Sequence, residues 1–196
     1  MTRPSALGLL LAPGAGADRD QATLVALDQA ATEAGLAVQR MDFPYRQAGR
    51  KAPDRAPVLV ESVRTGADSV NAGRLVLGGR SMGGRMCSMA VAEGQVPRAV
   101  GLLLISYPLH PPGRPEKRRT EHFPSLSVPC LFVSGTRDAF GSPAELEEAT
   151  KAIPGPVTHH WIEGKDHALR GVDTAICALA LDWMRGLSTR TRSARP

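Results

Sequence analysis

A chain of 196 residues, 42% hydrophobic and 22% charged, is long enough for one domain with a sizeable core and has the composition of a soluble globular protein. Three of its five excess positive charges sit on Arg190, Arg192 and Arg195 of the tail 188–196, which reads as a solvated, disordered end. No aromatic-interleaved basic stripe, helix-turn-helix signature or zinc spacing points to nucleic acid, and no apolar run is long enough for a membrane span.

Apolar runs alternate with helical patterns along the chain. Leu7–Ala12 reads as a strand, followed by the glycine-rich loop Pro13–Ala17. Gln21–Ala34 reads as a helix closed by Gly35, and Leu36–Phe43 as a second strand. The polar loop Pro44–Pro57 leads to a helix over Val58–Asn71, started by Asp54 or a residue near it. Leu75–Leu77 is a third strand and Ser81–Glu93 its helix. Val100–Ile105 is a fourth strand, followed by the long proline-rich loop Ser106–Pro129. Cys130–Ser134 is a fifth strand. Pro143–Ile153 is a helix with Ser142 as N-cap and Pro143 in its first turn. Val157–Glu163 is a sixth strand and Gly171–Leu187 the last helix. Six strands separated by helices imply an α/β fold, a doubly wound parallel sheet with helices on both faces and right-handed crossovers. Residues 1–187 are expected to form one domain without a cap. If the second strand packs outside the first and the third on its other side, the topological switch falls between the first and third strands. The loop Pro13–Ala17 then sits beside Ser81.

Cys87, Cys130 and Cys177 are far apart and form no CxxC pair, so reduced, buried thiols in a cytoplasmic protein are expected. Arg3, Leu7–Ala12 and Ala15-Gly16-Ala17 loosely mimic a signal peptide, but cleavage there would remove what reads as a central strand.

The densest chemical signal is Leu75-Val76-Leu77-Gly78-Gly79-Arg80-Ser81-Met82-Gly83-Gly84-Arg85. A short apolar strand, Gly-x-Ser-x-Gly and a helix make a nucleophile elbow, a strained turn that lifts a serine hydroxyl above the sheet edge. Gly79 and Gly83 stand where side chains would collide. The helix N-terminus favours negative charge developing beside the serine.

An acyl-transfer serine needs a base, an orienting acid and an oxyanion hole. His167 follows the sixth strand and is the expected base. Asp138 follows the fifth and is the expected acid, preferred over Asp166 because an immediate sequence neighbour of His167 reaches its ring poorly. The oxyanion donors are expected to be the backbone N–H groups of Met82 and Ala15, with Gly14 and Gly16 beside Ala15 against the substrate. Tyr107 and His110 follow the fourth strand and can line the pocket or pack the loop. Arg80 and Arg85 flank the elbow and can bind an anionic substrate group or make structural ion pairs. His122, His159 and His160 read as structural or exposed. No metal-ligand spacing and no phosphate-loop motif occurs, so neither a metal nor another cofactor is required.

These segments resemble the α/β-hydrolase superfamily, and within it the small cap-less group called dienelactone-hydrolase-like, or the KANL/Tex-type hydrolase-like domain. The resemblance spans nearly the whole chain. It rests on Gly14-Ala15-Gly16-Ala17, Phe43-Pro44-Tyr45, Pro53-Asp54-Arg55-Ala56-Pro57 and the elbow Gly79–Arg85. It continues through Tyr107–Pro115 with Glu116-Lys117, Ser134-Gly135-Thr136-Arg137-Asp138 and Asp166-His167. It implies a Ser81–Asp138–His167 triad and a sheet lacking the first two strands of larger relatives. The chain departs from that group in carrying Pro13-Gly14 where relatives often have His-Gly. It also carries a serine where enzymes named dienelactone hydrolase typically use cysteine. The expected activity is hydrolysis of a small-molecule carboxylic ester or thioester through an acyl-serine, in an open site that the loop Ser106–Pro129 shades. The same constellation also serves amides and peptides, and a non-catalytic interaction module can retain the fold.

Overall fold

The computed structural model describes residues 6–189. Its strands are β1 (Gly8–Ala12), β2 (Ala37–Arg40), β3 (Leu75–Arg80), β4 (Ala99–Ile105), β5 (Cys130–Gly135) and β6 (Val157–Ile162). All pair in parallel, in the order β2-β1-β3-β4-β5-β6. The connection direction therefore reverses between β1 and β3, the arrangement under which the loop Pro13–Ala17 sits beside Ser81. The helices are α1 (Ala22–Glu33), α2 (Pro44–Gln47), α3 (Ala56–Asp68), α4 (Met82–Ala92), α5 (Pro143–Thr150) and α6 (Asp173–Thr189).

Both faces of the sheet are covered, which is why β1 and β4 read as continuous apolar runs rather than alternating ones. On one face Leu9, Leu11, Val76, Leu103, Ile105, Leu131 and Val133 pack against Leu24 and Leu27 of α1 and Ile176, Ala180 and Met184 of α6. On the other, Leu10, Leu77, Leu102, Leu104 and Phe132 pack against Leu59 and Val63 of α3, Met86 and Ala90 of α4, and Leu146 of α5. Ser142 caps α5 in a reciprocal box with Glu145, the arrangement its Ser-Pro start called for.

Several boundaries differ from expectation: β2 stops at Arg40 instead of Phe43, β3 runs on to Arg80, α5 ends at Thr150, and three further differences concern the loops and helices. The loop Pro44–Pro57 contains the one-turn helix α2, entered through Pro44 and anchored by Tyr45, which is fully buried. The helix expected from Val58 begins at Ala56, with Arg55 rather than Asp54 at its N-cap. The last helix runs to Thr189, so the expected tail begins later; Arg190, Arg192 and Arg195 lie outside the described residues. The three cysteines are free and buried. Burial raises the thiol pKa of Cys87 and Cys177 and pushes that of Cys130 up to about 12.

The head of α4 meets both the end of β1 and the end of β3 backbone to backbone. A Cβ on Gly83 would lie 2.2 Å from the Ala12 carbonyl oxygen, and one on Gly79 2.5 Å from the Gly84 nitrogen. Gly84, outside the five-residue motif, is equally constrained: its Cβ would lie 2.8 Å from the Gly79 oxygen. Alanine at Gly79 or Gly83 should lower stability by about 3 kcal/mol or more through this overpacking. Alanine at Gly73, where a Cβ meets nothing within 4 Å, should change it by less than about 0.5 kcal/mol. Denaturant midpoints measure the contrast.

Candidate active site

β3 continues to Arg80 with Ile105 of β4 as its partner, and the next residue, Ser81, turns sharply. Ser81 has φ 50° and ψ −116°, a left-handed-side conformation that costs energy for a residue with a Cβ. Its N–H is held by the Ile105 carbonyl at 2.8 Å. The turn places the Ser81 hydroxyl at the head of α4, above the carboxyl edge of the sheet.

Two other loops of the same edge bring polar side chains to it. Ser81 Oγ lies 2.9 Å from His167 Nε2. His167 Nδ1 lies 2.8 Å from Asp138 Oδ2 and 3.0 Å from Oδ1. The geometry fits a neutral imidazole that donates from Nδ1 to Asp138 and accepts the Ser81 hydroxyl proton at Nε2. Asp138 is 5% exposed, and its Oδ1 also accepts the Phe140 N–H at 2.8 Å. The Phe140 ring lies against His167, with centroids 4.1 Å apart. Asp166 points elsewhere: its Oδ1 accepts the Ala168 N–H at 2.9 Å, an Asx-type turn.

The loops carrying Asp138 and His167 are laced together. Arg137 N–H donates to the Lys165 carbonyl, and Gly164 N–H to Thr136 Oγ1, both at 2.9 Å. Gly135 is required at this crossing, because a Cβ there would lie 2.1 Å from the Lys165 oxygen. The His167 carbonyl accepts from the Arg80 guanidinium and, at 3.0 Å, from Ser106 Oγ. Ser106 also has positive φ, at 48°. Arg80 is 6% exposed; burial lowers its pKa, while Asp173, Asp138 and Asp166 oppose that loss. Arg80 thus makes a backbone hydrogen bond and, among the described residues, none of the ion pairs expected of it.

The loop after β1 completes the setting. Gly14 N–H donates to Gln21 Oε1 at 3.1 Å, and Gly16 N–H to the Tyr45 hydroxyl at 3.2 Å. The Ala15 N–H between them and the Met82 N–H at the head of α4 have no hydrogen-bond partner among the described residues. Gln21 and Tyr45 thus anchor a loop that enters through Pro13 instead of histidine.

A cavity of about 530 Å³ opens over Ser81 and His167, lined also by Gly14, Ala15 and Met82. Gly16 is not on its wall. Nor are Tyr107 and His110, which is a correction to their expected substrate contact. Tyr107 is buried against Phe123 and Phe132, and its hydroxyl donates to the Arg119 carbonyl at 2.6 Å. His110 is buried beside Glu145, 3.5 Å away, with Nδ1 2.9 Å from the Pro111 carbonyl. Both pack the loop, and the adjacent Pro108 reaches the wall instead. No group of three or more His, Cys, Asp or Glu side chains suited to a metal ion occurs among the described residues, and no helix there is long and apolar enough to cross a membrane.

The His167–Asp138 bond predicts a strongly downfield Nδ1 proton resonance. It should vanish in Asp138→Asn and survive in Asp166→Asn, as read by proton NMR; the opposite pattern would reassign the partner.

A family model described as alpha/beta hydrolase domain matches residues 5–175. Among solved structures, one of two metagenome-derived lipolytic enzymes, LipS and LipT, superposes with a TM-score of 0.77 at 15% identity, covering 93% of this chain and 95% of that one. A hydrolase of the same superfamily from Xanthomonas campestris pv. campestris superposes with a TM-score of 0.68 at 21% identity, covering 91% and 98%. Dienelactone hydrolase from Anabaena variabilis gives 0.70 at 19% identity, covering 92% and 87%. At these identities the structural likeness is one of fold. With the family match over most of its length, the chain belongs to the alpha/beta hydrolase domain family.

Proposed function

We propose that the chain is a serine hydrolase that cleaves a small-molecule carboxylic ester or thioester through an acyl-Ser81 intermediate. The observation that carries this reading is the hydrogen-bonded line Ser81–His167–Asp138, with its serine end facing a cavity. Lipolytic enzymes and a dienelactone hydrolase among the structural neighbours support ester chemistry.

In this mechanism Ser81 Oγ attacks the substrate carbonyl carbon as His167 Nε2 takes its proton. Asp138 holds the Nδ1–H tautomer and stabilises the imidazolium. The N–H groups of Met82 and Ala15 donate to the oxyanion; both are uncommitted, whereas those of Gly14 and Gly16 are spent on Gln21 and Tyr45. The positive end of the α4 dipole adds to that field. Collapse of the tetrahedral intermediate expels the alcohol or thiol, protonated by His167. Water, activated by the same histidine, then releases the acid and restores Ser81. The loop 106–129 contributes Pro108 and Arg119 to the wall, a rim more than an enclosure, so short or exposed acyl groups suit the site. The free, buried thiols suit the reducing cytoplasm.

Ser81→Ala and His167→Ala should each cut kcat against a short-chain aryl ester by roughly 10³-fold or more, and the double variant should be little worse than either. Additive losses would contradict a shared step. Asp138→Asn should cost about 10⁴-fold, while Asp166→Asn should stay within a few-fold; steady-state kinetics on the four proteins decides it.

A further inference from the structure

The charged groups around the cavity are unevenly committed. Arg80, Arg85, Arg119 and Asp54 lie on its wall. Arg80 donates to the His167 carbonyl and Asp54 is paired with Arg50 at 2.7 Å, although Arg80 Nε and Asp54 Oδ2 are themselves buried without a hydrogen-bond partner. Arg85 has no carboxylate within ion-pair distance among the described residues, and its Nε is buried without a hydrogen-bond partner. The Arg119 side chain has one long contact, from Nη1 to the Pro108 carbonyl at 3.4 Å. Burial and the neighbouring Arg85 charge both lower the Arg119 pKa, so the two guanidinium groups act on each other.

Two partly desolvated cations facing one cavity with no carboxylate in ion-pair contact with either raise the energy of the empty site. An anion between them removes that cost, and the planar guanidinium fork suits carboxylate and phosphate alike. Position ties this pair to Ser81. Arg85 is four residues beyond the serine on α4, one turn along the same face, and a helical side chain leans back toward the N-terminus. Asp54, the acidic group on the wall, is balanced by Arg50, so the wall stays net positive.

We propose that Arg85 and Arg119 form an anion subsite, and that the substrate is an ester or thioester carrying a carboxylate or phosphate. This rests on the serine-hydrolase reading above. The sequence left Arg85 open between anion binding and a structural ion pair; its lack of a carboxylate partner favours the first.

The test compares matched substrates by kcat/KM. The 4-nitrophenyl hemiglutarate is set against 4-nitrophenyl valerate for charge on the acyl side. For charge on the leaving group, 4-acetoxybenzoate is set against its methyl ester, and 4-acetoxyphenyl phosphate separates phosphate from carboxylate. The wild type should favour the anionic member of at least one pair by about tenfold or more. Arg85→Gln and Arg119→Gln should each cut that ratio by about tenfold, mainly through KM, with Arg85→Lys losing less. Arg64→Gln, an equal charge loss on the exposed face of α3, should leave the ratio unchanged. Hydrolysis without preference for charge, or ratios unmoved in both glutamine variants, overturns the subsite and leaves the hydrolase reading intact. If no ester is cleaved, calorimetry of Ser81→Ala with 4-acetoxybenzoate decides separately. Binding that Arg85→Gln abolishes upholds the subsite against the catalytic reading; no binding overturns the subsite.

Discussion

The close crossing of β3 over α4 is the constraint on which the rest of the site depends. Main chain meets main chain there, with room for no Cβ at Gly79 or Gly84, while Gly83 is crowded by the Ala12 carbonyl at the end of β1. That contact forces Ser81 to positive φ and sets its hydroxyl at the head of a helix instead of in the sheet. It also draws Ala12 against Gly83, so the loop after β1 has to pass beside the serine. The nucleophile candidate and the donors best placed for an oxyanion thus come from one packing event.

Orientation of the imidazole depends on a second set of restraints. The loops after β5 and β6 cross at Gly135 and are bonded to each other, so Asp138 and His167 move as one unit. Arg80 and Ser106 clamp the His167 carbonyl, and Phe140 lies against the ring. The non-glycine residues with positive φ among those described are Ser81, Ser106 and Leu169, each at this edge or in its loops. Strain gathered there, in an otherwise regular α/β sandwich, is the pattern of a site whose geometry is fixed by its surroundings.

The six parallel strands and the approach of Ser81, Asp138 and His167 were legible because short-range signals encode them. Continuous apolar runs mark strands buried on both faces, and the glycines of the elbow mark a short motif, although Gly83 answers to the distant Ala12 carbonyl as well as to the turn. Asp138 could be preferred to Asp166 from chain geometry alone. What stayed hidden depends on contacts between distant segments. Tyr45 and Gln21 hold the loop after β1 from 29 and 7 residues away, and nothing in Phe-Pro-Tyr or in a helix-start glutamine announces that role. Gly135 is set by the Lys165 carbonyl across another loop, a requirement that no local pattern carries. Phe140 sits two residues past Asp138, a spacing that in retrospect could have suggested its contact with the histidine. Tyr107 and His110 misled because position after a strand is shared by side chains that enter the cavity and those that turn into the core. For Tyr107 the apolar neighbours Phe123 and Phe132 decided for the core, and His110 turned toward Glu145 and the Pro111 carbonyl.

The measurement that bears most directly on the central claim is labelling of the folded protein with a fluorophosphonate probe, wild type beside Ser81→Ala. An activated Ser81 predicts one covalent adduct on that residue, absent from Ser81→Ala and much slower in His167→Ala. A folded wild type that takes up no label, or a Ser81→Ala protein that labels as well as wild type, would contradict it.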